Sequence, residues 1–274
     1  MENNFLNNPD QFPLVNKYFG TFLRMLVEHF ESTPFEGRFI LTASYTTMLE
    51  DRLSRIERLG LTNAIIKEVG NHKNPKDLDK RLLDAWAELR ALDQLQVEGF
   101  SNIQKVTETA DFYAQQNGQQ YAIQVTRNNS KLESSDVFGA TIDELHERFD
   151  DLLWNFFWDR LFEKNGNFKK LHEDGIIRVI VIVTSDETLQ DPMVRHFACQ
   201  QIRNLIFDPA FVQINFEELY WLPDLGHGAW FKLGGSPKET HCFADWHDEF
   251  GRDWDGSVYR REVDLDSPIN HWKE

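Results

Sequence analysis

The stretch ADFYAQQNGQQYAIQVTR, residues 110–127, decides the fold of this chain. Two runs rich in apolar and aromatic residues flank Gln116-Asn117-Gly118, and Asn-Gly between such runs is the strongest short signal for a β-hairpin. The stretch therefore predicts antiparallel strands over 110–115 and 121–127. A third short strand is predicted just before them, over 103–107.

The sequence on either side of this hairpin predicts a mixed sheet with helices. Residues 176–184, IIRVIVIVT, form a nearly continuous β-branched run that is typical of a central strand buried on both faces. Helices are predicted over 74–99, 141–163 and 191–207, and a further strand over 212–220. Alternation of this kind indicates an α/β fold whose central sheet is flanked by helices.

The chain divides by pattern into three parts. Residues 1–73 carry apolar side chains at helical spacing, with Gly60 as a natural helix stop, and are predicted to form an N-terminal helical region. Residues 74–225 form the α/β core. Residues 226–274 are rich in Trp, His and Asp and are expected to wrap the core or to form a small β extension.

Composition and the cysteine pattern indicate where the protein is located in the cell. The 274 residues are 41% hydrophobic, and no run approaches about 18 apolar residues, so a soluble protein without a membrane span is expected. The first ten residues lack the pattern of a signal peptide, and the two cysteines, Cys199 and Cys242, form no Cys-x-x-Cys pair. A cytoplasmic location is therefore predicted.

The net charge of −16 argues against non-specific binding of nucleic acid over the whole surface. It leaves open a local basic cleft, a partner that supplies positive charge, or a carboxylate site that recruits a divalent metal.

Four residues are the candidates for chemistry: Glu88, Asp111, Gln124 and Thr126. A hairpin that turns at Asn117-Gly118 brings Asp111 next to Gln124 and Thr126, which share one face of their strand. A polar side chain in a central strand needs a partner, and Asp is depleted in strands. The plain alternatives are that Glu88 lies on a solvated helix face and that Asp111 is a strand-edge residue.

The order of these residues resembles the PD-(D/E)xK nuclease superfamily, over about residues 74–220. The segments that carry the resemblance are 86–89 (WAEL), 110–112 (ADF) and 122–126 (AIQVT). Gln in place of the second acid is similar to the Mrr-type branch. The resemblance implies a restriction-endonuclease-like core that hydrolyses phosphodiester bonds of nucleic acid, foremost DNA, in prokaryotic restriction or anti-phage defence.

The same resemblance implies a Mg²⁺ or Mn²⁺ ion bound by Asp111, with Glu88 and Gln124 as further ligands. The lysine of the family is replaced by Thr126. Activity then depends on the metal alone, on a cation from elsewhere such as Arg127 or Lys131, or is lost. The alternative function is a catalytically inactive module that binds a protein or nucleic acid in a larger assembly. A protein partner or a homo-oligomer is expected.

The C-terminal part contains a second polar cluster. His241, Asp245 and His247 match no standard zinc spacing, so no structural metal is predicted there. Arg252, Arg260 and Arg261 lie among Trp and Tyr residues, but the acidic residues between them disfavour a nucleic-acid surface. A protein-binding surface fits this mixture better.

Overall fold

A computed structural model of the chain describes residues 9–30, 40–70, 74–106, 110–129, 160–168 except 162, 175–185, 198–206 except 200, 204 and 205, 215–223, 228–233, 240–244 and 259–262. The chain divides into two compact units. The first comprises residues 1–96 with 103–105, and the second comprises 97–102 with 106–274.

The first unit is helical, as its apolar periodicity predicts. Helix α1 spans Pro13–Phe30, α2 spans Ala43–Ile56, α3 spans Thr62–Gly70 and α4 spans Pro75–Val97. Short 3-10 turns at Pro9–Gln11 and Glu57–Leu59 precede α1 and follow α2. None of the helices in the described ranges is both long and apolar enough to cross a membrane.

Polar side chains define where these helices begin and how they meet. Glu50 of α2 accepts hydrogen bonds from the backbone N–H groups of Leu14 and Val15, at 2.9 and 2.8 Å, and so satisfies two donors in the first turn of α1. Asn74 accepts a bond from the N–H of Lys76 at 3.1 Å, which caps α4 where Asn-Pro predicts its start.

The strands lie in the sheet in chain order, from β1 to β8. Their bounds are Ser101–Lys105, Phe112–Gln116, Gln119–Asn129, Ile176–Ser185, Glu218–Pro223, Gly228–Lys232, Thr240–Ala244 and Tyr259–Glu262. Strand β4 is parallel to both of its neighbours, β3 and β5, while β2 is antiparallel to β3 and β5 is antiparallel to β6. The mixed sheet and its accompanying helices confirm the α/β class.

The predicted hairpin is confirmed. Strands β2 and β3 pair antiparallel, with Phe112 opposite Ile123 and Gln116 opposite Gln119. Asn117 and Gly118 have positive φ values of 50° and 80°, the backbone conformation that a tight two-residue hairpin turn requires. The local sequence therefore determines the register of the two strands.

Strand β4 is central, as the β-branched run predicts. It lies between β3 and β5, and residues 179–183 are at most 1% exposed. The helical residues at 160–168 and 198–206 pack on one face of this sheet, in a buried cluster that includes Ala122, Ile180, Ile182, Leu219, Trp221, Ala229 and Phe231.

Two element boundaries differ from the prediction. The strand predicted over 212–220 begins at Glu218 and continues through Pro223, all of it buried. Before it, the backbone N–H of Glu217 donates to the carbonyl of Arg178 at 2.8 Å, and the Glu217 carboxylate accepts bonds from the backbone N–H and guanidinium of Arg178. Residues 163–168 are helical, so the helix continues five residues beyond the predicted end at Glu163.

The described parts of the C-terminal segment extend the sheet by strands β6, β7 and β8, which agrees with the expected β extension. Trp230 of β6 donates from its indole N–H to Glu218 at 3.0 Å, and its ring lies 6.3 Å from that of Tyr220. Asp245, His247 and Arg252 lie outside the described residues, as does most of the helix predicted over 141–163.

Candidate functional site

Asp111 is held between neighbouring strand segments just before β2. Its N–H donates to the carbonyl of Ile123 at 2.9 Å, and its carbonyl accepts from the N–H of Val106 at 3.0 Å. Its carboxylate oxygen Oδ2 accepts from the N–H of Val125 at 2.6 Å. Asp111 therefore lies beside residues 123–125, where the hairpin register predicts it.

The Val125 contact gives Asp111 a structural role as well. Strand β2 begins only at Phe112, so at this point the Asp111 side chain supplies the acceptor for the Val125 N–H. A bond from a backbone N–H to a carboxylate is among the stronger hydrogen bonds in proteins. This agrees with the strand-edge alternative, yet a carboxylate has further lone pairs that remain usable for a cation or a water.

Gln124 and Thr126 lie on one face of β3 and are 5% and 9% exposed. In the parallel register they stand opposite Ile180 and Ile182 of β4. The amide oxygen Oε1 of Gln124 accepts a hydrogen bond from Nδ2 of Asn167 at 3.1 Å. The structure thus brings Asp111, Gln124 and Thr126 together in the second unit.

Glu88 belongs to the first unit, on α4. Its carboxylate lies 2.7 Å from the Nζ of Lys105, which is also 3.5 Å from Glu68. The side chains of Glu88 and Lys105 are only 14% and 8% exposed, so the solvated-face alternative for Glu88 is wrong. The Glu88 carboxylate is therefore largely buried and forms a structural ion pair with Lys105 that sequence spacing did not predict.

Two polar residues near the site are absent from the sequence-based prediction. Asn167 follows the helix predicted to end at Glu163, and no short-range pattern links it to Gln124. Asn128 extends the Gln124 and Thr126 face of β3; it is 1% exposed, and neither of its amide atoms has a hydrogen-bond partner among the described residues. The contact between Asn167 and Gln124 depends on the path of the chain between β3 and β4, which sequence periodicity does not specify.

Asn128 stands opposite Thr184 of β4, whose hydroxyl accepts a 2.9 Å bond from the indole N–H of Trp221. Polar side chains therefore continue along the β3–β5 face toward the carboxyl ends of these parallel strands. Such ends are where ligands commonly bind in open α/β sheets.

The donor set limits which cation this site fits. Mg²⁺ prefers oxygen ligands and is commonly bound by one or two carboxylates together with waters and substrate phosphates. Asp111 provides one carboxylate of this kind. Within the described ranges, no group of three or more His, Cys, Asp or Glu side chains is placed to hold a metal. Among the described residues beside Gln124 and Thr126, Asp111 is the carboxylate that could hold a Mg²⁺ or Mn²⁺ ion.

Of the two cations suggested as replacements for the missing lysine, Arg127 does not fill its position. Arg127 follows Thr126 on β3, so strand alternation directs it to the opposite face of the sheet. Lys131 lies outside the described residues. Comparison of the chain with protein-family models, with curated proteins and with solved structures gave no match.

Proposed function

We propose that this protein is a metal-dependent nuclease that hydrolyses phosphodiester bonds and resembles the PD-(D/E)xK enzymes. The observation that carries the proposal is the position of Asp111: its carboxylate is bonded to Val125, beside Gln124 and Thr126 of the same strand. The element order also supports it, since a helix, strand β1, the antiparallel pair β2–β3 and the parallel strands β4 and β5 follow one another in the chain.

In this proposal Asp111 holds the metal ion, and its bond to Val125 fixes the direction of the carboxylate. A bound Mg²⁺ or Mn²⁺ supplies a Lewis acid that neutralises charge on the phosphoryl oxygens and lowers the pKa of bound water. Thr126, in the lysine position of the family, offers a hydroxyl that orients water or a phosphate oxygen. The role of Glu88 as a further metal ligand rests on the resemblance alone.

A second candidate function is a catalytically inactive module that binds a protein or nucleic acid within an assembly. The specific observation that favours it is that three of the polar groups already have protein partners. Asp111 accepts from Val125, Gln124 accepts from Asn167, and Glu88 pairs with Lys105. Together with Thr126 in place of lysine, these contacts give each group a structural purpose.

The test is cleavage of labelled single- and double-stranded DNA and RNA with Mg²⁺ or Mn²⁺. Asp111→Asn is the informative variant, because the amide oxygen can still accept the Val125 hydrogen bond while the negative charge for the metal is lost. Asp111→Ala removes both. Asp84→Asn is a matched control, since Asp84 is a partly exposed acid of α4 that pairs with Arg81 at 3.6 Å.

The nuclease proposal predicts that wild type and Asp84→Asn cleave, that Asp111→Asn folds but loses at least about a hundredfold in rate, and that Glu88→Gln loses less. A loss of this size corresponds to about 2.7 kcal/mol of transition-state stabilisation. Full activity of Asp111→Asn would exclude Asp111 as the metal ligand. A wild-type protein that binds nucleic acid or a partner without cleaving any substrate would favour the inactive module.

A further inference from the structure

The amide of Asn128 lies near the carboxyl end of β3, on the same face as Gln124 and Thr126 and more deeply buried than either. It is 1% exposed, and neither Nδ2 nor Oδ1 has a hydrogen-bond partner among the described residues. Burying an amide without partners is costly, and nearly all such groups in folded proteins are paired with protein or with ordered water.

Thr184 of β4 stands opposite Asn128 in the parallel register and is also 1% exposed. Neighbouring strands lie about 4.8 Å apart, and residues paired in this way point to the same face of the sheet. The Thr184 hydroxyl accepts a 2.9 Å bond from the indole N–H of Trp221, which leaves its own proton to be donated. That proton does not go directly to Asn128, because Oδ1 of Asn128 has no partner in the described part of the chain.

We propose that Asn128 and Thr184 enclose an internal water site between the ends of β3 and β4. Water has two donors and two acceptors, so one molecule accepts from the Thr184 hydroxyl and donates to Oδ1 of Asn128. The Nδ2 group of Asn128 donates to this water or to a second one. Internal waters typically make about three bonds of this kind to buried polar groups. The site does not depend on the proposed nuclease function.

Burial and charge select water over other ligands. Both side chains are 1% exposed, so a larger molecule has no open path to them, whereas water exchanges through brief local openings of the fold. A metal ion would exchange its hydration shell for an amide and a hydroxyl oxygen that carry no negative charge, and these do not offset the cost of dehydration. The ligand is therefore small, neutral and able both to donate and to accept.

The water completes a chain of hydrogen bonds across three strands. Trp221 on β5 donates to Thr184 on β4, and the water continues the chain to Asn128 on β3. Hydrogen bonds in such a buried chain strengthen one another. Because Asn128 follows Thr126 by two residues on the same face, the chain fixes the end of the strand that carries the candidate site.

The direct test is a high-resolution crystal structure of the wild type and of Asn128→Leu. The wild type should show a water peak within about 2.7–3.2 Å of the Thr184 hydroxyl oxygen and of an Asn128 amide atom. This peak should be lost in Asn128→Leu. An ordered site without such a peak, or a protein group that bonds both amide atoms, would overturn the inference.

Unfolding measurements test the shared water in solution. Asn128→Leu and Thr184→Val should each lower the melting temperature by about 2–4 °C, because each leaves the opposite polar group without its bridged partner. The double variant should lose clearly less than the sum, since the two residues act through one water. Ile182→Val shortens a buried apolar side chain of β4, and as the control its effect should add fully to that of Asn128→Leu. Additive losses for Asn128→Leu with Thr184→Val, or single variants as stable as the wild type, would refute the shared site.

Discussion

Replacing Asp93 by Asn is expected to destabilise the first unit strongly. Asp93 lies in α4 and is 3% exposed. Its carboxylate accepts bonds of 2.6 and 2.5 Å from Arg55 and one of 3.4 Å from Arg52. Asn has the same shape but no charge, so the substitution leaves these guanidinium groups without the carboxylate that neutralises them.

The magnitude follows from burial. Removing one partner of a buried ion pair costs about 3–5 kcal/mol, because the remaining charge stays away from water. Arg55 is 21% exposed and can turn partly toward solvent, whereas Arg52 is 2% exposed and packs over the ring of Trp86 at 5.1 Å. We therefore expect a loss of about 3 kcal/mol in the free energy of unfolding, at the lower end of this range.

The effect should depend on pH with a definite sign. Burial alone raises the pKa of the Asp93 carboxyl, but the hydrogen bonds from Arg55 and the charges of Arg55, Arg52 and Arg90 outweigh it and hold the pKa below its ordinary value. A carboxyl with a lowered pKa contributes stability above its unfolded pKa of about 3.9, and this stability is lost as pH falls through the folded pKa. The wild type should therefore approach Asp93→Asn in stability in strong acid.

The assay is urea unfolding followed by circular dichroism at pH 7 and at steps down to pH 2.5. Asp84→Asn, which alters a partly exposed pair at 3.6 Å, is the control and should change the free energy of unfolding by less than about 0.5 kcal/mol. A difference below about 1 kcal/mol for Asp93→Asn at pH 7, or a large one that stays constant into strong acid, would refute this reasoning.

Four other substitutions have defined outcomes. Gly228→Ala should destabilise by more than about 1 kcal/mol, because a Cβ would lie 2.6 Å from the carbonyl oxygen of Trp221, whereas helical Gly166→Ala meets nothing within 4 Å and should stabilise by about 0.5–1 kcal/mol in urea unfolding. Asn128→Leu should lower the melting temperature, since both amide atoms lack a partner among the described residues and the change removes the bonds of the proposed internal water; an unchanged or raised value would show that no water bonds this side chain. If the proposed nuclease function holds, Thr126→Lys should retain or raise cleavage of labelled nucleic acid, because it places a cation at the lysine position of the family, and complete loss of cleavage would argue against this position.

Local sequence was sufficient to predict the site's framework. The turn at Asn117-Gly118 requires two residues with positive φ, and this requirement alone sets which residues of β2 and β3 face each other. Asp111 beside Gln124 follows from that register. The β-branched run of β4 and the Asn-Pro start of α4 were likewise predicted, because turn chemistry, strand burial and helix capping depend on near neighbours in the chain.

Only the tertiary structure decided the contacts between residues that are far apart in sequence. Asn167 lies 43 positions from Gln124, and Arg178 lies 39 from Glu217. The resemblance makes Glu88 a candidate metal ligand, and its lysine partner, 17 positions away on a strand, could not be predicted from the sequence. Alternation places a side chain on one face of an element and does not specify the group that meets it there. A buried polar atom needs a hydrogen-bond donor or acceptor close to it in space. Which residue provides that partner depends on how whole helices and strands pack against each other.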